Sequence, residues 1–92
     1  MDTLSARARF LRESAGISQR EADRLAHLTR GASGAIERGE VEKTHAETLL
    51  GLSRLYGVTI EWMLTGDGSA PAHRDVAIAV ANRRADLAEV SQ

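Results

Sequence analysis

The 92-residue chain is 42% hydrophobic, has one proline and no cysteine, and carries a formal net charge of −1. That is one small domain's worth of chain, too short to frame the deep pocket most enzymes use, with no disulfide framework and no thiolate metal site. The near-neutral total hides a split: residues 1–39 hold seven arginines against five acids, and residues 40–92 hold five basic side chains against eight acids. Such a split can leave one positive face on a neutral molecule. No apolar run approaches the roughly 18 residues needed to span a bilayer. The start Met1-Asp2-Thr3-Leu4-Ser5 has no charged-then-apolar character, so a cytoplasmic protein is expected. With three aromatics (Phe10, Tyr56, Trp62) and 15 alanines, the core has to come from closely packed helices rather than a sheet.

Helix punctuation is clear along the chain. Leu4, Ala8, Leu11 and Ala15 form one apolar stripe on a first helix of about residues 3–14, ended by Gly16. Ser18-Gln19-Arg20-Glu21 reads as a capping box, with the Ser18 hydroxyl accepting the Glu21 N–H and the Glu21 carboxylate reaching back to Ser18. A second helix near 18–26 buries Ala22, Leu25 and Ala26, and Leu28 plugs the turn that follows. Thr29 is the expected N-cap of a third helix to about Arg38, with Gly39 at its end. Thr44-His45-Ala46-Glu47 repeats the box ahead of Leu49, Leu52, Leu55 and Tyr56, and Gly57 closes that fourth helix. Thr59 caps a short fifth helix carrying Ile60, Met63 and Leu64. The stretch Gly66-Asp67-Gly68-Ser69-Ala70-Pro71 reads as a loop, and 75–90 as a sixth helix.

Two short helices, each with its own cap and separated by a tight turn at His27-Leu28, are the sequence form of a helix-turn-helix. The second helix of such a pair is expected to offer unpaired N–H groups and a positive dipole end to phosphate, while its first turns reach base edges.

The stretches Leu11-Arg12-Glu13, Gly16-Ile17-Ser18-Gln19, Glu21, Leu28-Thr29, Ile36-Glu37-Arg38-Gly39 and Leu49 through Gly66 resemble the lambda-repressor-like (Xre/Cro-type) helix-turn-helix domain of bacterial and phage repressors. The resemblance covers residues 4–68, and its pieces are specific through their order and spacing. It implies that Gln19 touches the DNA backbone and supports base-contacting side chains. It implies that Thr29, Arg30 and Gly31 open the recognition helix, and that Gly34 and Ala35 form the next groove-facing turn. Ser18, Arg20 and Arg38 complete the candidate DNA-facing set. Arg12 and Glu37 match a buried pair that ties the first helix to the end of the third, so they should lie within salt-bridge distance despite 25 positions of separation.

The departures are also informative. The family usually has Leu-Ala where this chain has Ala22-Asp23, and an aliphatic residue where it has Ser33. Two glycines, Gly31 and Gly34, sit in the expected third helix, and Glu40 and Glu42 make the next loop acidic. Arg30 is then the one long side chain for base reading in the first two turns, so direct readout is thin and shape or backbone contacts carry more of the specificity.

Blander roles fit several other residues. Arg20 and Arg24 read more readily as a solvated face with Glu21 and Asp23 than as a phosphate clamp. His27, His45 and His73 have no metal-ligand spacing, and Ser18, Ser33 and Ser53 have no histidine–carboxylate companions that would make a nucleophile. Tyr56 and Trp62 read as core, and Arg83-Arg84 as a solvated face.

The expectation is an all-α, five-helix repressor-type domain at 3–68, with a linker and C-terminal helix at 69–92. Val76, Val80, Leu87 and Val90 form an apolar stripe on that last helix, expected to mediate dimerisation unless it folds back onto the chain's own core. The expected function is sequence-specific binding of double-stranded DNA by a homodimeric repressor on a pseudo-palindromic operator. No cofactor, catalytic group, metal, membrane or small-molecule ligand is implied. The rivals are an antitoxin whose C-terminal segment holds a toxin, and a protein-interaction module that has lost DNA binding.

Overall fold

The computed structural model describes residues 1–40 and 46–90, the Val90 side chain excepted, and these are all-helical. The elements are α1 (Leu4–Ala15), α2 (Gln19–Leu25), α3 (Ala32–Glu37), α4 (Ala46–Tyr56), α5 (Ile60–Thr65) and α6 (His73–Val90). Short polar side chains start several of them. Thr3 accepts the Ala6 N–H, Ser18 the Glu21 N–H and Thr59 the Trp62 N–H, each satisfying one donor that a helix start leaves open. Gly16 and Gly66 end α1 and α5. The box expected at Thr44 and the residues Glu42 and His45 lie outside the described residues.

Two boundaries differ from expectation. The Ser18–Glu21 box is only half made, because the Glu21 carboxylate turns to the cations Arg24 (2.5 Å) and Arg84 (3.7 Å). The Arg24 hydrogen bond holds the Glu21 carboxyl below its ordinary range. The third helix starts later than predicted: its N-cap is Gly31, not Thr29, and it is only six residues long. Gly31 sits at φ 95°, in the region where a Cβ is penalised, so the glycine belongs to the turn and Gly34 alone lies inside the helix.

The core is one cluster. Leu4, Ala8 and Leu11 of α1 meet Ala22 and Leu25 of α2, Ile36 of α3, Leu52, Leu55 and Tyr56 of α4, and Trp62 and Met63 of α5. Gly51 lets α4 run against the turn after α2, where a Cβ would stand 2.9 Å from the Ala26 carbonyl oxygen. Burial pushes the Tyr56 hydroxyl well above its usual range, keeping it neutral.

The C-terminal helix is part of this cluster. Val76 and Val80, expected at a dimer interface, are 0% and 1% exposed, because α6 lays its stripe against α1 and α4 of its own chain. Leu87 is half-buried against the same cluster, and the Val90 side chain lies outside the described residues. Arg83, read from sequence as a solvated residue, is half-buried and donates from Nε to the Leu25 carbonyl at the end of α2 (3.0 Å). The Cα radius of gyration of 12.2 Å matches the ~12 Å of a single compact body of this length. No helix among the described residues is long and apolar enough to cross a membrane.

Val80→Ala removes two buried methyl groups and should cost about 2–3 kcal/mol. For a domain this small that lowers Tm by roughly 10 °C or more. The shift should be the same at micromolar and at tenfold higher protein concentration. A shift that vanished on dilution would place Val80 at an interface between chains instead of in the core.

Candidate nucleic-acid interface

The interface begins with a turn. Leu28 donates its N–H to the Asp23 carbonyl (2.8 Å), and His27 reverses the chain at φ 57°, a conformation that costs a residue bearing a Cβ about 1–2 kcal/mol. Leu28 packs its side chain partly against the core, as its role of turn plug requires. The turn places α3 beside the start of α2.

Asp23 then does what Thr29 was expected to do. It is 4% exposed, not part of a solvated face, and its two carboxylate oxygens accept the N–H groups of Gly31 and Ser33, both at 2.8 Å. The Ala32 N–H is taken by the Thr29 carbonyl (3.0 Å). The N–H groups of Gly31, Ala32 and Ser33 at this helix start are therefore engaged within the chain, which corrects the reading of a helix end whose N–H groups are all open to phosphate. Two of the family departures, Asp23 and Ser33, are neighbours, joined through the Ser33 backbone N–H. Ser33 is buried, and its hydroxyl has no partner among the described residues.

The other end of α3 is fixed by Arg12. Its guanidinium grips Glu37 with two bonds, Nε to Oε2 at 2.8 Å and Nη2 to Oε1 at 3.1 Å, while Nη1 donates to the Ile17 carbonyl (2.9 Å). The Glu37 hydrogen bond raises the Arg12 pKa further above its already high ordinary value. Gln19 joins the same carboxylate through Nε2 (3.4 Å). Gly34 is buried rather than open to the groove, because Gln19 and Arg38 lie across it. A Cβ there would stand 3.0 Å from both Gln19 Oε1 and Arg38 Nη1.

Ser18, Gln19, Arg20, Thr29, Arg30, Gly31 and Arg38 are all exposed, and Ala35 is half-buried. Ser18, Arg20 and Arg30 line one groove of about 370 Å³ together with Glu21, Asp23, Arg24 and Leu28. Arg20 and Arg30 form no ion pair among the described residues, whereas Arg24 is neutralised by Glu21 and Arg38 reaches Glu40 at 3.4 Å. Among the described residues the face thus presents two guanidinium groups outside any ion pair, in a groove that the carboxylates Glu21 and Asp23 also line, while Gln19 and Arg38 lie together over Gly34. Such a face can hold phosphate oxygens and reach a base edge.

A family model described as a helix-turn-helix domain matches residues 3–61. The chain belongs to this family. Helix-turn-helix domains are an architecture of DNA-binding regulators, with the second helix of the pair as reader. No curated protein and no solved structure matched the chain.

Sequence reasoning missed Arg7, which is 3% exposed and donates to the carbonyls of Met63 (2.7 Å), Leu64 (2.8 Å) and Met1 (3.0 Å). It lies on the Leu4–Ala8–Leu11 stripe, and that position was the available signal.

Gly34→Ala tests the stacking of Gln19 and Arg38 over α3. Replacing a helix-interior glycine should stabilise the fold by up to about 1 kcal/mol, since both blocking atoms are ends of flexible side chains. Tm should rise by a few degrees while the Gln19 side-chain amide resonances shift as the side chain is displaced. Unmoved Gln19 resonances would show that the side chain does not lie across Gly34.

Proposed function

We propose that the chain is a sequence-specific, double-stranded-DNA-binding transcription regulator, acting as a homodimeric repressor on a pseudo-palindromic operator. The observation that carries this reading is the exposed α2–α3 face, where Arg20 and Arg30 converge without carboxylate partners inside a helix-turn-helix family match. Arg30 can take guanine O6 and N7 in a bidentate grip, while Gln19, Arg20 and Arg38 hold backbone.

Pairing follows from size. A single module of this kind covers about 600–1,000 Å² on DNA, less than most tight specific complexes bury. Two copies on a symmetric site supply the rest. With Val76 and Val80 committed to the core, Leu64 on α5 (50% exposed) and Ile78 on α6 (48% exposed) are the large apolar residues of those helices left for pairing. The packing of α6 favours the regulator over the antitoxin reading, which needs a segment free to hold a toxin.

Selection from a random DNA pool should enrich a motif with two half-sites, bound by two chains per duplex. On that motif, Arg30→Ala should cost about 1–3 kcal/mol per half-site and relax preference at one base position. Gln19→Ala should weaken all sequences more evenly, and added salt should weaken binding steeply. Equal loss on every single-base variant would make Arg30 a phosphate contact. If no motif is enriched, the interaction-module reading takes over.

A further inference from the structure

The third helix has little of its own to define where it starts. It is six residues long, its N-cap is a glycine with no side chain to give, and it carries a second glycine inside. Three bonds from one residue of α2 supply the missing definition. The Asp23 backbone carbonyl accepts Leu28 N–H, and its carboxylate spans Gly31 N–H and Ser33 N–H. The carboxylate is buried with no cation paired to it among the described residues, so those two N–H groups and the positive end of α3 are what stabilise its charge. Arg30 is the residue immediately before this junction.

We propose that Asp23 is the positioning residue of the interface: its carboxylate fixes the start of α3, aims Arg30, and diverts anion binding from the helix end to the arginine side chains. The proposal rests on the DNA-binding reading for its functional half. A phosphate approaching Gly31 and Ser33 meets donors already used and a negative charge behind them. Phosphate is then left to side chains, the Gln19 amide and the guanidinium groups of Arg20 and Arg38, and the pose of α3 depends on one carboxylate rather than on helix propensity. Ser33 belongs to the same device, because its backbone N–H is one of the two that Asp23 holds.

The test uses the full chain with Asp23→Ala and Asp23→Asn, read by amide hydrogen exchange and by titration against the selected DNA and its single-base variants. Asp23→Ala should speed exchange at Gly31 and Ser33 at least tenfold while α1 and α4 stay protected. It should lower affinity at least tenfold and flatten the preference at the base read by Arg30. Asp23→Asn keeps one acceptor oxygen and should fall between. Mere loss of folded protein would lower every sequence equally and leave the base preference intact, and that result overturns the proposal. Native exchange at Gly31 and Ser33 in a folded Asp23→Ala chain also overturns it.

Should Asp23→Ala not fold, Asp23→Ala combined with Ser33→Val refills the site with an apolar pair. A folded double variant with broadened preference supports the role of the carboxylate, and one with native preference overturns it. If the native chain selects no DNA, the DNA reading and the aiming of Arg30 fail together. The exchange measurement then still decides separately whether Asp23 holds α3.

Discussion

The bidentate grip of Arg12 on Glu37 is the constraint on which the candidate interface depends. It joins α1 to the last residue of α3, and the same guanidinium reaches the Ile17 carbonyl in the turn before α2. Gln19 completes the set by donating to Glu37. Three segments thus share one carboxylate, and the start of α2 cannot rotate without breaking a bond at the end of α3. Such a pair adds little net stability, since desolvation offsets much of its Coulomb energy. Its contribution is geometric. The two planar groups meet in one orientation, and that orientation sets where Gln19 lies above Gly34.

How much of this was legible in the sequence depends on where each signal resides. Helix starts at Ser18 and Thr59, the stop at Gly16 and the Arg12–Glu37 pairing were readable, because caps are local and the pair came with a recognisable family spacing. The start of α3 was not. Thr29 has the right chemistry for a cap, but a carboxylate eight residues upstream captures the Gly31 N–H and moves the boundary. Nothing local at Thr29 announces that competition. The fate of the α6 stripe was open for a similar reason. Periodicity shows that Val76 and Val80 share a face, while only the tertiary arrangement says that this face meets α1 and α4 rather than a second copy.

Arg7, Asp23 and Arg83 were misread or missed in the same way. Each is a charged residue on a helix, where sequence reading treats a charge as an interruption or a solvated edge. Each bonds backbone groups at the end of another helix or turn: Arg7 the last carbonyls of α5, Asp23 the N–H groups opening α3, Arg83 the last carbonyl of α2. The signs are consistent with the helix dipole, cations at the two C-terminal ends and the anion at the N-terminal one.

Helix length explains why such residues are needed. In a helix of six or seven residues most of the N–H and C=O groups belong to an open end, and α2, α3 and α5 are all of that size. Left to water, those groups would keep the short helices at the surface. Drawn into a core, they require partners, and an unpaired buried backbone group costs about as much as a lost hydrogen bond. The charged side chains of α1, α2 and α6 meet that requirement from outside, which lets three short helices with weak intrinsic stability hold fixed positions around one core. It also ties α6 to the candidate interface. Through Arg83 on the Leu25 carbonyl and Arg84 beside Glu21, the last helix braces α2 from behind, and α2 in turn carries the carboxylate that sets α3. A disturbance at the C-terminal helix therefore has a bonded route to α3, through α2.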